Sequence, residues 1–126
     1  MSPCHLIAVG GLAGIAVTQH MSMNFPTKIS PIGLLANSQG GRINISDFAL
    51  LPTGYSGQRP VTVAVVGTSM NRCKTTITAH LIKGLVNSGF KVGAAKITGT
   101  ASGNDNWLMR DAGAVRVLDF MDVGFP

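Results

Sequence analysis

The stretch VVGTSMNRCKTT at residues 65–76 links an apolar run to a helical one, and its residue types suit the holding of a phosphate chain. A polyphosphate carries several negative charges. Backbone N–H groups converging from a tight loop, together with the positive end of a following helix, hold such a group well. The arrangement needs a strand, a loop poor in bulky side chains, and a helix that starts where the loop ends. Gly67 opens the loop, and Thr68, Ser69, Met70, Asn71, Arg72 and Cys73 carry it to Lys74. The Lys74 ammonium sits where it reaches β- and γ-phosphates, Thr75 follows with a hydroxyl suited to Mg²⁺, and Thr76 completes the candidate nucleotide-binding set. Two features depart from the usual pattern. The loop is one residue longer than normal, and Cys73 stands where a glycine precedes the lysine. A Cβ at that place lies beside the phosphates and restricts a backbone that glycine leaves free.

The flanking elements must position this loop. Residues 61–66, VTVAVV, read as a strand of the kind buried in parallel sheets. Residues 75–88 read as a helix: Ile77, Leu81 and Leu85 recur every four positions, flanked by Ile82 and Val86, and Gly89 closes it. A second strand is expected over 91–98, KVGAAKIT. A shorter helix follows over 104–112, with Asn104 or Asp105 near its start and Gly113 at its end, and then a third strand over 114–120, AVRVLDF. The order β-α-β-α-β implies a partial parallel sheet with right-handed crossovers in an α/β fold. A full doubly wound domain continues with further strands, so 61–126 is expected to be the N-terminal half of one. Upstream, 26–52 reads as a small β-hairpin region, IGLLA and RINISDFAL around the turn formers NSQGG, and 53–60 as a linker.

The chain has 126 residues, one domain's worth, with ten Lys and Arg against five Asp and no Glu. The positive balance invites an acidic partner, but the basic residues are scattered and form no stripe, which argues against nucleic acid. Cys4 and Cys73 make no metal-ligand spacing with His5, His20 or His80, and free thiols are expected. Residues 1–25 form an apolar N-terminal segment. Its uncharged core at 6–17 is too short to span a bilayer, which takes about 20 residues. It reads as an apolar strand, with two alternatives. One is a signal-peptide core, although no Lys or Arg precedes it. The other is a stretch ahead of a true start at Met21 or Met23.

On the motifs GTSMNRCKTT, GFKVGAAKITGT and GNDNWLMRDAGA, residues 61–122 resemble P-loop NTPases of the molybdopterin-guanine dinucleotide biosynthesis protein B type and the wider group containing dethiobiotin synthetase. They are also similar to uncharacterised bacterial P-loop proteins carrying GTSMNxGKTT and KxTGT behind a small β region. The resemblance implies ATP or GTP binding with Mg²⁺ through a degenerate Walker A loop in a cytoplasmic protein, with phosphoryl transfer or NTP hydrolysis as the reaction of an intact relative. It implies that Lys74 contacts phosphate and Thr75 the metal, and that Lys96, Thr98 and Asp105 lie near the γ-phosphate. Lys74 and Asp105 are then the candidate catalytic residues. Lys96 also reads as a solvated strand end and Asp105 as a helix cap. Asp119, ending VRVLD, imitates a metal-organising aspartate after an apolar strand. The rival reading is a non-catalytic, truncated relic or interaction fragment of such a protein.

Overall fold

The computed structural model describes residues 3–54, 57–68, 73–99 and 101–125. Over these the chain is mixed α/β, with two α-helices, short antiparallel strands and one parallel strand pair. It divides into two units, Met1–Ala49 with Thr98–Ser102 and Phe120–Pro126, and Leu50–Ile97 with Gly103–Asp119.

In the first unit, β1 (Cys4–Leu6) lies between β2 (Ala13–Gly14) and β3 (Lys28–Ile29), antiparallel to both. The apolar run at 6–17 therefore turns back on itself, with the Ile7 N–H donating to the Leu12 carbonyl at 2.8 Å. Among the described residues no helix is long and apolar enough to cross a membrane. The hairpin expected over 26–52 is reduced to a single antiparallel bridge, Ala36 to Arg42, around a turn in which Asn37 Oδ1 accepts from the Gln39 and Gly41 amides. The second arm stops early because Asp47 Oδ2 captures the Asn44 N–H at 2.8 Å and a 3₁₀ turn, Ile45–Phe48, begins there. Side chains that bond nearby backbone compete with a strand ladder in this way.

The second unit holds α1 (Lys74–Asn87), β4 (Gly93–Lys96), α2 (Asn104–Asp111) and β5 (Arg116–Asp119). These match the expected helix, strand, helix and strand to within a few residues at each end. Both helices end in the same device. Gly89 takes φ +87°, its N–H meets the Val86 carbonyl, and the Phe90 N–H meets the Leu85 carbonyl. At α2, Gly113 takes φ +107° and the pair is Gly113 to Arg110 and Ala114 to Met109. This double bond satisfies carbonyls that a helix end leaves open, and it needs a left-handed residue. β4 and β5 pair in parallel, with Ala94 opposite Val117 and Lys96 opposite Asp119. Ile82 from α1, Met109 from α2, Ala114 and Val117 form the buried core, joined by Val86, Val92, Ala94 and Ala112. Side chains alternate across a strand, so Lys96 and Asp119 stand on the same face as the core residues Ala94 and Val117, two positions nearer the carboxyl ends.

One expected element does not form. Residues 61–66 make no strand, and Val61, Val63 and Val66 are exposed. A strand exists where its N–H and C=O groups meet a neighbour's, and a β-branched apolar run supplies only the propensity. Here neither β4 nor β5 pairs with the run. The parallel sheet thus has two strands, not the three expected.

Candidate functional site

Lys74 is the first residue of α1, one position before the expected start. The first amides of any helix lack intrahelical acceptors and carry partial positive charge. In α1 Cys73 at the N-cap makes no side-chain bond to the helix and the first turn contains no acid. An ammonium at Lys74 adds to the same positive field. Its side chain folds across Gly67, where a Cβ would lie 3.0 Å from both Lys74 Cγ and Cδ and 3.6 Å from Nζ. Gly67 therefore does more than open a loop, because its missing side chain is the space in which the Lys74 stem lies.

Cys73 has φ 55° and ψ 14°, the left-handed region that glycine enters at no steric cost. The backbone thus takes the form expected of a glycine, although the residue there carries a Cβ. The Cys73 carbonyl still accepts the first helical bond, from the Ile77 N–H at 2.9 Å. Both Cys4 and Cys73 are free thiols, as expected, and Cys73 is exposed.

Thr75 is half-buried behind Lys74, whereas Thr76 is exposed and its carbonyl lies 2.8 Å from His80 Nδ1. Thr68 is exposed. Ser69, Met70, Asn71 and Arg72 lie outside the described residues. Thr98 is exposed and belongs to the first unit.

The remaining site residues meet at the carboxyl ends of β4 and β5. Lys96 forms an ion pair with Asp105 of α2, so the Asp105 carboxylate engages a strand-end lysine instead of serving as the cap of its own helix. Lys96 is correspondingly half-buried, not a solvated strand end. Burial pushes its ammonium below the ordinary lysine range; Asp119 pulls the other way and the nearby charge of Lys74 adds to the depression. Asn106, the residue after Asp105, donates from Nδ2 to Asp119 Oδ2 at 2.8 Å. Sequence reasoning missed Asn106, since nothing local marks it; its partner is 13 positions away and is reached through the parallel register. Lys74, Lys96, Asp105 and Asp119 are thereby gathered with Asn106 at one end of the second unit.

No protein-family model, curated protein or solved structure matches the chain.

Proposed function

We propose that the second unit is a P-loop-type nucleotide-binding core that takes ATP or GTP with Mg²⁺ at the amino end of α1, in a protein working where cytoplasmic nucleotide is available. The observation that carries this is the placement of Lys74 at the first position of α1, its stem lying in the space left by Gly67, with Lys96 at the end of β4. A positive helix end with Lys74 at its start favours an anion, and a polyphosphate is one. The donor set also suits a phosphate-bound magnesium. Mg²⁺ characteristically takes few protein ligands beside phosphate and water. Thr75 would supply a hydroxyl and Asp119 a carboxylate near it.

In this reading Lys74 holds phosphate oxygens across the space left by Gly67, and Lys96, steadied by Asp105, adds a second positive charge. A bound Mg²⁺ neutralises the phosphates. Phosphoryl transfer or NTP hydrolysis in such a site rests on position and charge neutralisation rather than on covalent chemistry by the protein. The roles of Ser69, Met70, Asn71 and Arg72 as loop amides belong to the same proposal. Calorimetric titration of the chain and of Lys74→Ala with Mg²⁺-ATP and Mg²⁺-GTP tests it: the parent binds one or both, and Lys74→Ala loses that affinity. A second reading, a βαβ fragment that keeps the frame without nucleotide, is favoured by the exposed and unpaired run at 61–66. It predicts no heat of binding from either nucleotide.

A further inference from the structure

The hairpin made by β1 and β2 in the first unit turns at residues 8–11, and surface turns ordinarily carry Asn, Asp, Ser or Pro beside glycine. Here the turn is Ala8, Val9, Gly10 and Gly11, flanked by Ile7 and Leu12, so the tip has no polar side chain. Val9 is 86 % exposed, Ile7 and Leu12 are also exposed, and Ile15 and Val17, just past β2, are 72 % and 86 % exposed. Contiguous apolar exposure of this kind marks a surface that another phase or partner covers. The charge nearby has one sign. Ahead of Asp47 the charged side chains are Lys28 and Arg42, with no Asp or Glu. Lys28 is exposed and is the register partner of His5, two residues before Ile7, which sets it about 7 Å behind Ile7 along the strand. From this combination we propose that the hairpin tip docks on an anionic lipid bilayer, with Val9 and its neighbours entering the interface and Lys28 meeting the headgroups. The proposal concerns the first unit and stands whether or not the second unit binds nucleotide.

The geometry suits a bilayer surface. Interfacial segments bury their apolar side about 5–10 Å into the boundary between headgroups and acyl chains, and binding grows with apolar area and with attraction to anionic lipid. The setback of Lys28 therefore leaves its ammonium among the headgroups when the tip is seated. Leaving water is costly for open backbone groups. At the tip the Ile7 and Ala8 N–H groups donate to the Leu12 carbonyl, and the Gly11 N–H donates to the Ala8 carbonyl at 3.0 Å, with Gly11 at φ +90°. A second copy is the poorer occupant. A two-fold contact sets the same patch against itself, and residues 1–46 offer no acid to meet Lys28 of the other copy. An anionic bilayer supplies both the apolar medium and the opposite charge.

The test is sedimentation of the full chain with vesicles of phosphatidylcholine alone and of an equimolar phosphatidylcholine–phosphatidylserine mixture. The parent should sediment with the mixture and more weakly with phosphatidylcholine. Lys28→Gln should lose about fivefold of the affinity for the mixture and none for phosphatidylcholine. Val9→Asp should lose about tenfold or more on both lipids, and Val9→Leu, one methylene larger, should bind about fourfold tighter. Far-UV circular dichroism checks that each variant is folded; should Val9→Asp fail to fold, the gain in Val9→Leu carries the test. A parent that does not sediment with the mixture, or Val9 variants that bind as the parent does, would overturn the proposal. Lys28→Gln unchanged on both lipids would overturn the assignment to anionic headgroups. A parent that forms a dimer in analytical ultracentrifugation and ignores vesicles, the dimer being lost in Val9→Asp, would give the tip to a second copy and also overturn it.

Discussion

Replacing Cys73 with glycine should stabilise the chain, because the backbone at this position already has a glycine's conformation. At φ 55° and ψ 14° the Cβ of an L-residue crowds the following carbonyl. That crowding costs roughly 1–2 kcal/mol. Glycine relieves it but gives the unfolded chain extra freedom, which takes back about 0.4–1 kcal/mol. The net gain is about 0.5–1 kcal/mol, equivalent to a Tm rise of about 2–5 °C for a domain of this size. Thermal unfolding followed by the helical dichroism signal is the suitable assay, since both α-helices belong to the second unit. Reducing buffer keeps both thiols free. Cys73→Ala is the control: it removes the sulfur, keeps the Cβ, and should leave Tm within a degree or so of the parent. If Cys73→Gly melts below the parent, or if glycine and alanine behave alike, the left-handed strain assigned to Cys73 is wrong. The same substitution removes a Cβ from beside the proposed phosphate site and should tighten nucleotide binding there, as read by calorimetric titration with Mg²⁺-ATP and Mg²⁺-GTP.

Other expectations can be checked alongside. Gly67→Ala should displace the Lys74 stem and weaken Mg²⁺-ATP binding while shifting Tm little, since Gly67 is exposed and its added methyl meets a flexible side chain. Asp105→Asn removes the counterion of a partly buried lysine, so the Lys96 ammonium should titrate lower still than in the parent, as read from its Nζ or Cε resonance. Ile82→Ala empties a side chain that is 3 % exposed at the centre of the core, and urea unfolding should show a loss of about 2–4 kcal/mol. Gly113→Ala should also destabilise, by about 1–3 kcal/mol, because it combines φ +107° with a close approach to Val86.

What could be read from sequence and what could not differ by the range of the interaction involved. α1 and α2 were legible because Ile77, Leu81, Leu85 and the stops at Gly89 and Gly113 are local signals, and the bonds at Gly89 and Gly113 are closed within a turn. β4 and β5 were legible as apolar runs between those helices. Residues 61–66 carried an equally strong strand signal, yet propensity does not specify a partner, and none pairs with them. The hairpin around Asn37–Gly41 had its turn right and its second arm wrong, because the Asp47–Asn44 bond, three residues in span, outcompeted a longer ladder. At the site, Lys74 and Thr75 stood out by their place at a loop–helix junction. The left-handed backbone of Cys73 carries no signal in the residue itself, since a cysteine seldom takes that conformation. The Lys96–Asp105 and Asn106–Asp119 contacts depend on the β4–β5 register and on how α2 crosses it, which residue spacing alone does not encode.

The most direct test of phosphate binding at the start of α1 is a map of backbone amide shifts in the ¹⁵N-labelled chain as Mg²⁺-ATP or Mg²⁺-GTP is added. The account predicts saturable shifts concentrated at Gly67, Cys73, Lys74 and Thr75, with smaller ones at Lys96 and Asp119, all abolished in Lys74→Ala. Saturable shifts elsewhere that leave the amides of Cys73, Lys74 and Thr75 untouched, or a spectrum unchanged by either nucleotide at millimolar concentration, would contradict it.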